Sequence, residues 1–308
     1  MKKILFILYT CCILLFPVSA QQIPSFKAND RIVFLGNSIT EGGHYHSYIW
    51  LYYMTHFPEL PLRIYNGGIG GDCASHMVFR FDSDIKIKKP TYLVCSFGMN
   101  DSGYDGYNKP GYDKYANKQV EYANTEFGKL QQQILADKKI KNVVLLGSSP
   151  YDENVKLEGV ETLHGKNETI KRIIEMQAEV AQKRGWGFVN FNTVMCELNK
   201  EIQQSDSTAT FCGGDRIHPD KDGHMVMAYL FLKAQGLAAR FVKDVVDYVS
   251  RGGGRARLIF LIAAQDTEDN VHLEVLSRLS MLRMETDFRT RLMEAENVDA
   301  VFKCIDGA

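Results

Sequence analysis

The sequence predicts an α/β fold, a parallel sheet covered on both faces by helices, and three observations carry that expectation. Short apolar runs recur along the first two-thirds of the chain. Between them lie segments whose apolar residues are spaced three and four apart, the period of an amphipathic helix. Strand and helix signals therefore alternate, as a parallel sheet with crossover helices requires.

Strands are expected at 32–35, 62–65, 92–97, 143–147 and 187–190. Helices are expected between them at 48–56, 74–81, 115–136 and 161–183. A last helix is placed at 220–235, with Pro219 before it and Gly236 after it as start and stop signals. Open sheets of this kind bind ligands beyond the carboxyl ends of their strands, and that is where the chemistry-bearing residues fall.

Ser38, in Gly36-Asn37-Ser38-Ile39-Thr40, follows directly on the first apolar run. The glycine-rich segment 66–72, NGGIGGD, follows the second run, and Gly98-Met99-Asn100-Asp101 follows the third. Late in the chain stands Asp215-Arg216-Ile217-His218. A serine hydroxyl is a poor nucleophile until a positioned histidine takes its proton, and the resulting oxyanion needs donors already aimed at it. The four segments supply residue types for each of these tasks.

In order and content they resemble the SGNH, or GDSL-like, hydrolases over about residues 28–237. The resemblance implies a three-layer α/β/α sandwich around a five-stranded parallel sheet. It implies Ser38 as nucleophile, His218 as general base and Asp215 as the acid that orients it. The implied oxyanion hole is the Ser38 and Gly71 backbone N–H groups with the Asn100 amide, Gly70 being the adjacent choice for the glycine. No metal or organic cofactor is implied. One departure is visible: Asn37 stands where the GDSL signature has aspartate, a position that carries no proton transfer. The favoured substrates are short acyl, above all acetyl, esters of carbohydrates. Lipid or thioester hydrolysis is the alternative within the same chemistry, and a carbohydrate-binding protein without turnover is the alternative from another class. The absence of a long apolar lid segment favours a small acyl group.

Composition bounds the partners. With 36 basic and 37 acidic side chains among 308 residues, there is no electrostatic reason to expect nucleic acid. Residues 1–20 read as a signal peptide: Lys2 and Lys3 lead an apolar stretch too short to span a bilayer, and Val18-Ser19-Ala20 offers a small-residue cleavage site. Export to the periplasm or beyond is expected, without stable membrane insertion after cleavage. Cys11 and Cys12 open a lipoprotein reading, against which Tyr9 and Thr10 count. In an oxidising compartment Cys196 and Cys212 are candidates to pair and steady the Asp215–His218 loop, with unpaired buried thiols the equal alternative. His44 and His46 lack a third metal ligand at suggestive spacing. Tyr104, Tyr107, Tyr112, Tyr115 and Tyr122 either form a platform for sugar rings or pack on their own loop.

Beyond residue 237 the character changes. Residues 238–254 read as a linker ending in a glycine-rich break. The run ARLIFLIAAQDTEDNVHLEVLSRLSML falls in a stretch, about residues 255–305, that resembles the last third of an enzyme IIA domain of the fructose and mannitol type, from the bacterial sugar phosphotransferase system. In that family the phosphorylated histidine lies in the earlier part of the domain, which has no counterpart here. His272 matches a different position, so no phosphotransfer is expected. The expected organisation is a signal peptide at 1–20, an esterase domain at 21–237, a linker at 238–254 and a truncated enzyme IIA-like fragment at 255–308.

Overall fold

The computed structural model describes residues 22–237. The expected signal segment, the linker 238–254 and the enzyme IIA-like stretch 255–308, with His272, lie outside the described residues.

Strands β1 (Arg31–Gly36), β2 (Arg63–Gly68), β3 (Tyr92–Phe97), β4 (Asn142–Gly147) and β5 (Gly187–Asn190) form one sheet in the order β2-β1-β3-β4-β5. Every neighbouring pair is parallel. The α-helices among the described residues are α1 (Ser38–Glu41), α2 (His44–His56), α3 (Ala74–Arg80), α4 (Tyr112–Ala136), α5 (Lys166–Arg184), α6 (Phe191–Ile202) and α7 (Lys221–Ala234). The chain moves outward from β1 to β2, then returns to lay β3 on the other side of β1. The strand order therefore reverses between β1 and β3, and the crevice at their carboxyl ends is the ligand position of such sheets.

Successive strand side chains point to opposite faces, and here both faces are buried. Ile32, Phe34, Val94, Val144 and Leu146 enter one core with side chains of α2, α6 and α7. Val33, Leu35, Leu93, Cys95, Val143 and Leu145 enter the other with α3 and α4. That is why these strands read as continuous apolar runs, and it gives the three-layer α/β/α sandwich expected.

The differences have local causes. Helix α5 starts at Lys166 rather than 161, because Gly165 at φ 87° redirects the chain. Residues 161–164 are instead tied to Asn108 and Tyr151: Asn108 donates to the Thr162 carbonyl, and the Leu163 N–H donates to Tyr151 Oη. Helix α6 begins directly at the end of β5, where Asn190 caps it by accepting from the Thr193 N–H; no turn residues separate the two elements. Cys196 and Cys212 are free thiols, which corrects the possible pairing. Cys212 is buried and directs its thiol to the Pro150 carbonyl, while Cys196 accepts from Asn167. No helix among the described residues is long and apolar enough to cross a membrane.

Candidate active site

Ser38 is the first residue of α1, directly after the turn that ends β1. Asn37 is the N-cap in extended backbone, and its Oδ1 accepts from the Ile39 N–H at 3.1 Å. Asparagine and aspartate cap helices comparably because either offers a side-chain oxygen to the first turn. The departure from aspartate at this position thus keeps the contact that fixes the serine backbone. An N–H at the first helical position has no intrahelical acceptor, which leaves that of Ser38 available. The turn lies tight against the strand ends: a Cβ on Gly36 would stand 2.0 Å from Thr40 Oγ1, and one on Gly68 2.2 Å from the Glu41 nitrogen.

Ser38 Oγ is 2.8 Å from His218 Nε2, and His218 Nδ1 is 2.5 Å from Asp215 Oδ2. With Nδ1–H donating to the carboxylate, Nε2 turns its lone pair to the serine O–H. Asp215 Oδ1 accepts the N–H groups of Ile217 and His218, each at 2.9 Å. Burial opposes ionisation of Asp215, yet the His218 ring and these two N–H groups outweigh it and hold the carboxyl below its usual range. The His218 and Asp215 side chains are 48% and 49% exposed, so the trio opens on solvent.

Arg216, between them, is buried at φ 69°. Its guanidinium donates to the Asp152, Val155 and Val160 carbonyls, and its own carbonyl accepts from the Asp152 N–H at 3.0 Å. The loop that carries the histidine is thereby pinned to the segment after β4.

Asn100 Nδ2 donates to the Asp72 carbonyl at 3.0 Å, and its Oδ1 accepts from Tyr104 Oη at 2.7 Å. The two contacts fix the orientation of the amide and leave one Nδ2 hydrogen for another acceptor. Asp101 is buried and accepts from the Ala74 and Gly98 N–H groups, both at 2.8 Å, tying the end of β3 to the start of α3. Gly71 has φ 78° in a turn closed by the Asp72 N–H on the Ile69 carbonyl at 3.2 Å. That third turn position demands a residue tolerant of positive φ. The Gly71 N–H makes no hydrogen bond among the described residues.

Two buried cations behind this arrangement escaped the sequence reading. Arg80 donates to the Gly36 and Gly67 carbonyls at 3.2 and 2.7 Å and pairs with Asp72 at 2.6 Å, joining the ends of β1 and β2 to the Gly71 turn. Lys166, at the start of α5, donates into the loop that carries Asn100. Neither sits in a local pattern that marks it. Other candidates resolve plainly. His46 is buried against the Thr40 carbonyl, whereas His44 is exposed beside His224. Of the tyrosines, Tyr107 is buried and Tyr115 lies across Gly103 and Gly106, so the cluster packs on its own loop, with Tyr122 exposed on α4.

Residues 34–226 match the GDSL-like lipase/acylhydrolase family. The chain belongs to that family. A gut microbial diltiazem-metabolizing enzyme of known structure is 51% identical, with TM-score 0.70, over 72% of this chain and 50% of its own. An acetylxylan esterase of Geobacillus stearothermophilus is 22% identical over 224 residues, 68% of this chain and 95% of that one. The structure of a catalytic mutant of the acetylxylan esterase Axe2 from the same organism superposes with TM-score 0.54 at 20% identity, covering 68% of this chain and 96% of the other, a likeness of fold.

The C-terminal end of this GDSL-like chain matches a second family. Residues 224–307 match the EIIA 2 domain of the phosphoenolpyruvate-dependent sugar phosphotransferase system. A 64-residue stretch is 50% identical to the fructose-specific EIIABC component of Bacillus subtilis (strain 168), covering 21% of this chain and 10% of that protein. The match starts within α7, earlier than the resemblance at 255, yet residues 226–232 of α7 are buried in the hydrolase core. The chain spans half the length of the diltiazem-metabolizing enzyme and a tenth of the fructose component.

Proposed function

We propose that the protein is an exported serine esterase that removes small acyl groups, acetyl foremost, from a carbohydrate or a similarly ring-bearing alcohol. The observation that carries this reading is the hydrogen-bonded line from Ser38 Oγ through His218 to Asp215, on a chain of the GDSL-like family. In the reaction, His218 Nε2 takes the hydroxyl proton as Oγ attacks the ester carbonyl, and Asp215 holds the imidazole tautomer. The Ser38 and Gly71 N–H groups and the remaining Asn100 Nδ2 hydrogen receive the oxyanion. Collapse breaks the bond between the acyl carbon and the alcohol oxygen, with the proton passing from His218 to the departing alcohol, and leaves the acyl group on Ser38 Oγ. Water, activated by the same base, then cleaves the acyl-serine.

Two relatives bear on the substrate. One is named as an acetylxylan esterase and the other as a diltiazem-metabolizing enzyme, and the first of these names supports an acetyl ester of a carbohydrate. The half-exposed His218 and Asp215 leave room for a large alcohol. The catalytic unit in this reading is residues 21–237, and a five-stranded sheet and helices that lie within 31–234 support it. Residues 1–20 direct export, 238–254 link, and 255–308 are a truncated enzyme IIA-like appendage without phosphotransfer.

The test is a p-nitrophenyl ester series from acetate to long-chain acyl groups, run beside acetylated xylo-oligosaccharide and an acyl thioester. Activity that falls with chain length and releases acetate from the sugar is expected. A maximum at long chains or on the thioester would move the assignment to lipase or thioesterase chemistry, and binding of the sugar without turnover of any ester would make it a binding protein.

A further inference from the structure

We infer that Lys166 is a positioning residue for the oxyanion donor Asn100, acting through the loop 99–103 and the ring of Tyr104; the inference rests on the esterase reading above. Lys166 has no solvent exposure. Its Nζ donates to the Met99 carbonyl at 2.9 Å, to Ser102 Oγ at 2.6 Å and to the Gly103 carbonyl at 2.6 Å. In the protonated form the amine has three donors and no acceptor, so its capacity is then spent entirely on the one loop that presents Asn100, gripped on both sides of that residue.

The same Nζ lies 3.7 Å from the centroid of the Tyr104 ring, a cation–π contact. Tyr104 Oη is the group that donates to Asn100 Oδ1. The lysine thus sets both the backbone that bears the amide and the hydroxyl that decides which way the amide faces. Tyr107 and Tyr151 close the space further out, at 5.8 and 5.9 Å, and Tyr107 Oη donates to the Ser102 carbonyl at 2.7 Å.

Burying an ammonium with no carboxylate in contact is costly, and an apolar side chain of similar length fills such a space without that cost. What the ammonium adds is three directed bonds to a single loop. An oxyanion donor works only if it stands in place before charge develops, so rigidity of this loop is where such a cation acts on turnover.

The experiment is a mutant cycle in the full chain, with Lys166→Met, Tyr104→Phe and Asn100→Ala made singly and as pairs with Asn100→Ala, assayed on p-nitrophenyl acetate below about pH 7, where the lysine carries its third proton. Lys166→Met should lower kcat by at least about tenfold with KM within about twofold, the signature of an interaction made in the transition state. Added to Asn100→Ala, it should cost no more than about a further twofold, because the group it positions is already gone. An unchanged kcat in Lys166→Met, or losses that multiply in the pair, would overturn the inference. If Lys166→Met fails to fold, Tyr104→Phe decides, since it leaves the three lysine bonds in place. A kcat loss absorbed by Asn100→Ala upholds the inference, and wild-type kcat in Tyr104→Phe rejects it. A folded wild-type protein inert on every ester sinks the esterase reading itself, and the inference with it, before any variant is compared.

Discussion

Asn100 has its two fixed contacts on opposite ends of the amide, Asp72 below Nδ2 and Tyr104 on Oδ1, so what remains for chemistry is one N–H. Asn100→Ala should lower kcat by about 10²–10³-fold, near 3 kcal/mol, with KM little changed in steady-state kinetics. A rise in KM at constant kcat would place Asn100 in ground-state binding instead. Ser38, Asn100, Asp215 and His218 were legible because each lies in a short motif behind a strand or late in the chain. Their mutual arrangement was not, since Ser38 and His218 meet across 180 positions. Lys166 gave no signal at all: its acceptors lie 63 to 67 positions earlier, and a lysine at the start of an amphipathic helix reads as solvated surface.

Among the elements, β3 falls where its apolar run lies, because burial on both faces leaves no alternation to misread, and β5 keeps the expected bounds 187–190. Short α1 and the abutting α6 were not legible, having neither an apolar period of sufficient length nor turn residues before them. The Arg80 guanidinium joins three of these elements, and its loss would leave Asp72 buried without its partner. Arg80→Met should destabilise the fold by about 3–5 kcal/mol in urea unfolding, and a change below about 1 kcal/mol would show that the pair is dispensable. Helix α5 carries a pH signature. Burial lowers the Lys166 pKa from 10.5 to about 7. Between those values the unfolded chain binds a proton that the folded chain lacks, so this group's contribution to stability rises with pH across that window, while below it the burial cost is fully present. The Tm difference between wild type and Lys166→Met should therefore shift in favour of wild type from neutral to alkaline pH, and a flat difference would contradict the burial of this amine.

At the scale of the molecule, the hydrolase was legible as a whole because alternation of strand and helix, with motifs at strand ends, constrains one architecture strongly. The thiols were not, since cysteine spacing says nothing about whether two sulfurs face each other. Cys196 sits on α6 against Asn167 and Cys212 against Pro150 and Asn199. Incubation with a reductant should leave the thermal midpoint unchanged, and a fall of several degrees would reveal a disulfide. The second family match at 224–307 overlaps a helix already committed to the hydrolase core, so sequence likeness and packing assign the start of that region differently. If Ser38 is the nucleophile of an esterase, p-nitrophenyl acetate hydrolysis by wild type beside Ser38→Ala, with folding of both checked by circular dichroism, shows it without intermediaries. Turnover by wild type should vanish in the variant; equal activity in the two proteins, or none in folded wild type, would rule out Ser38 as the nucleophile.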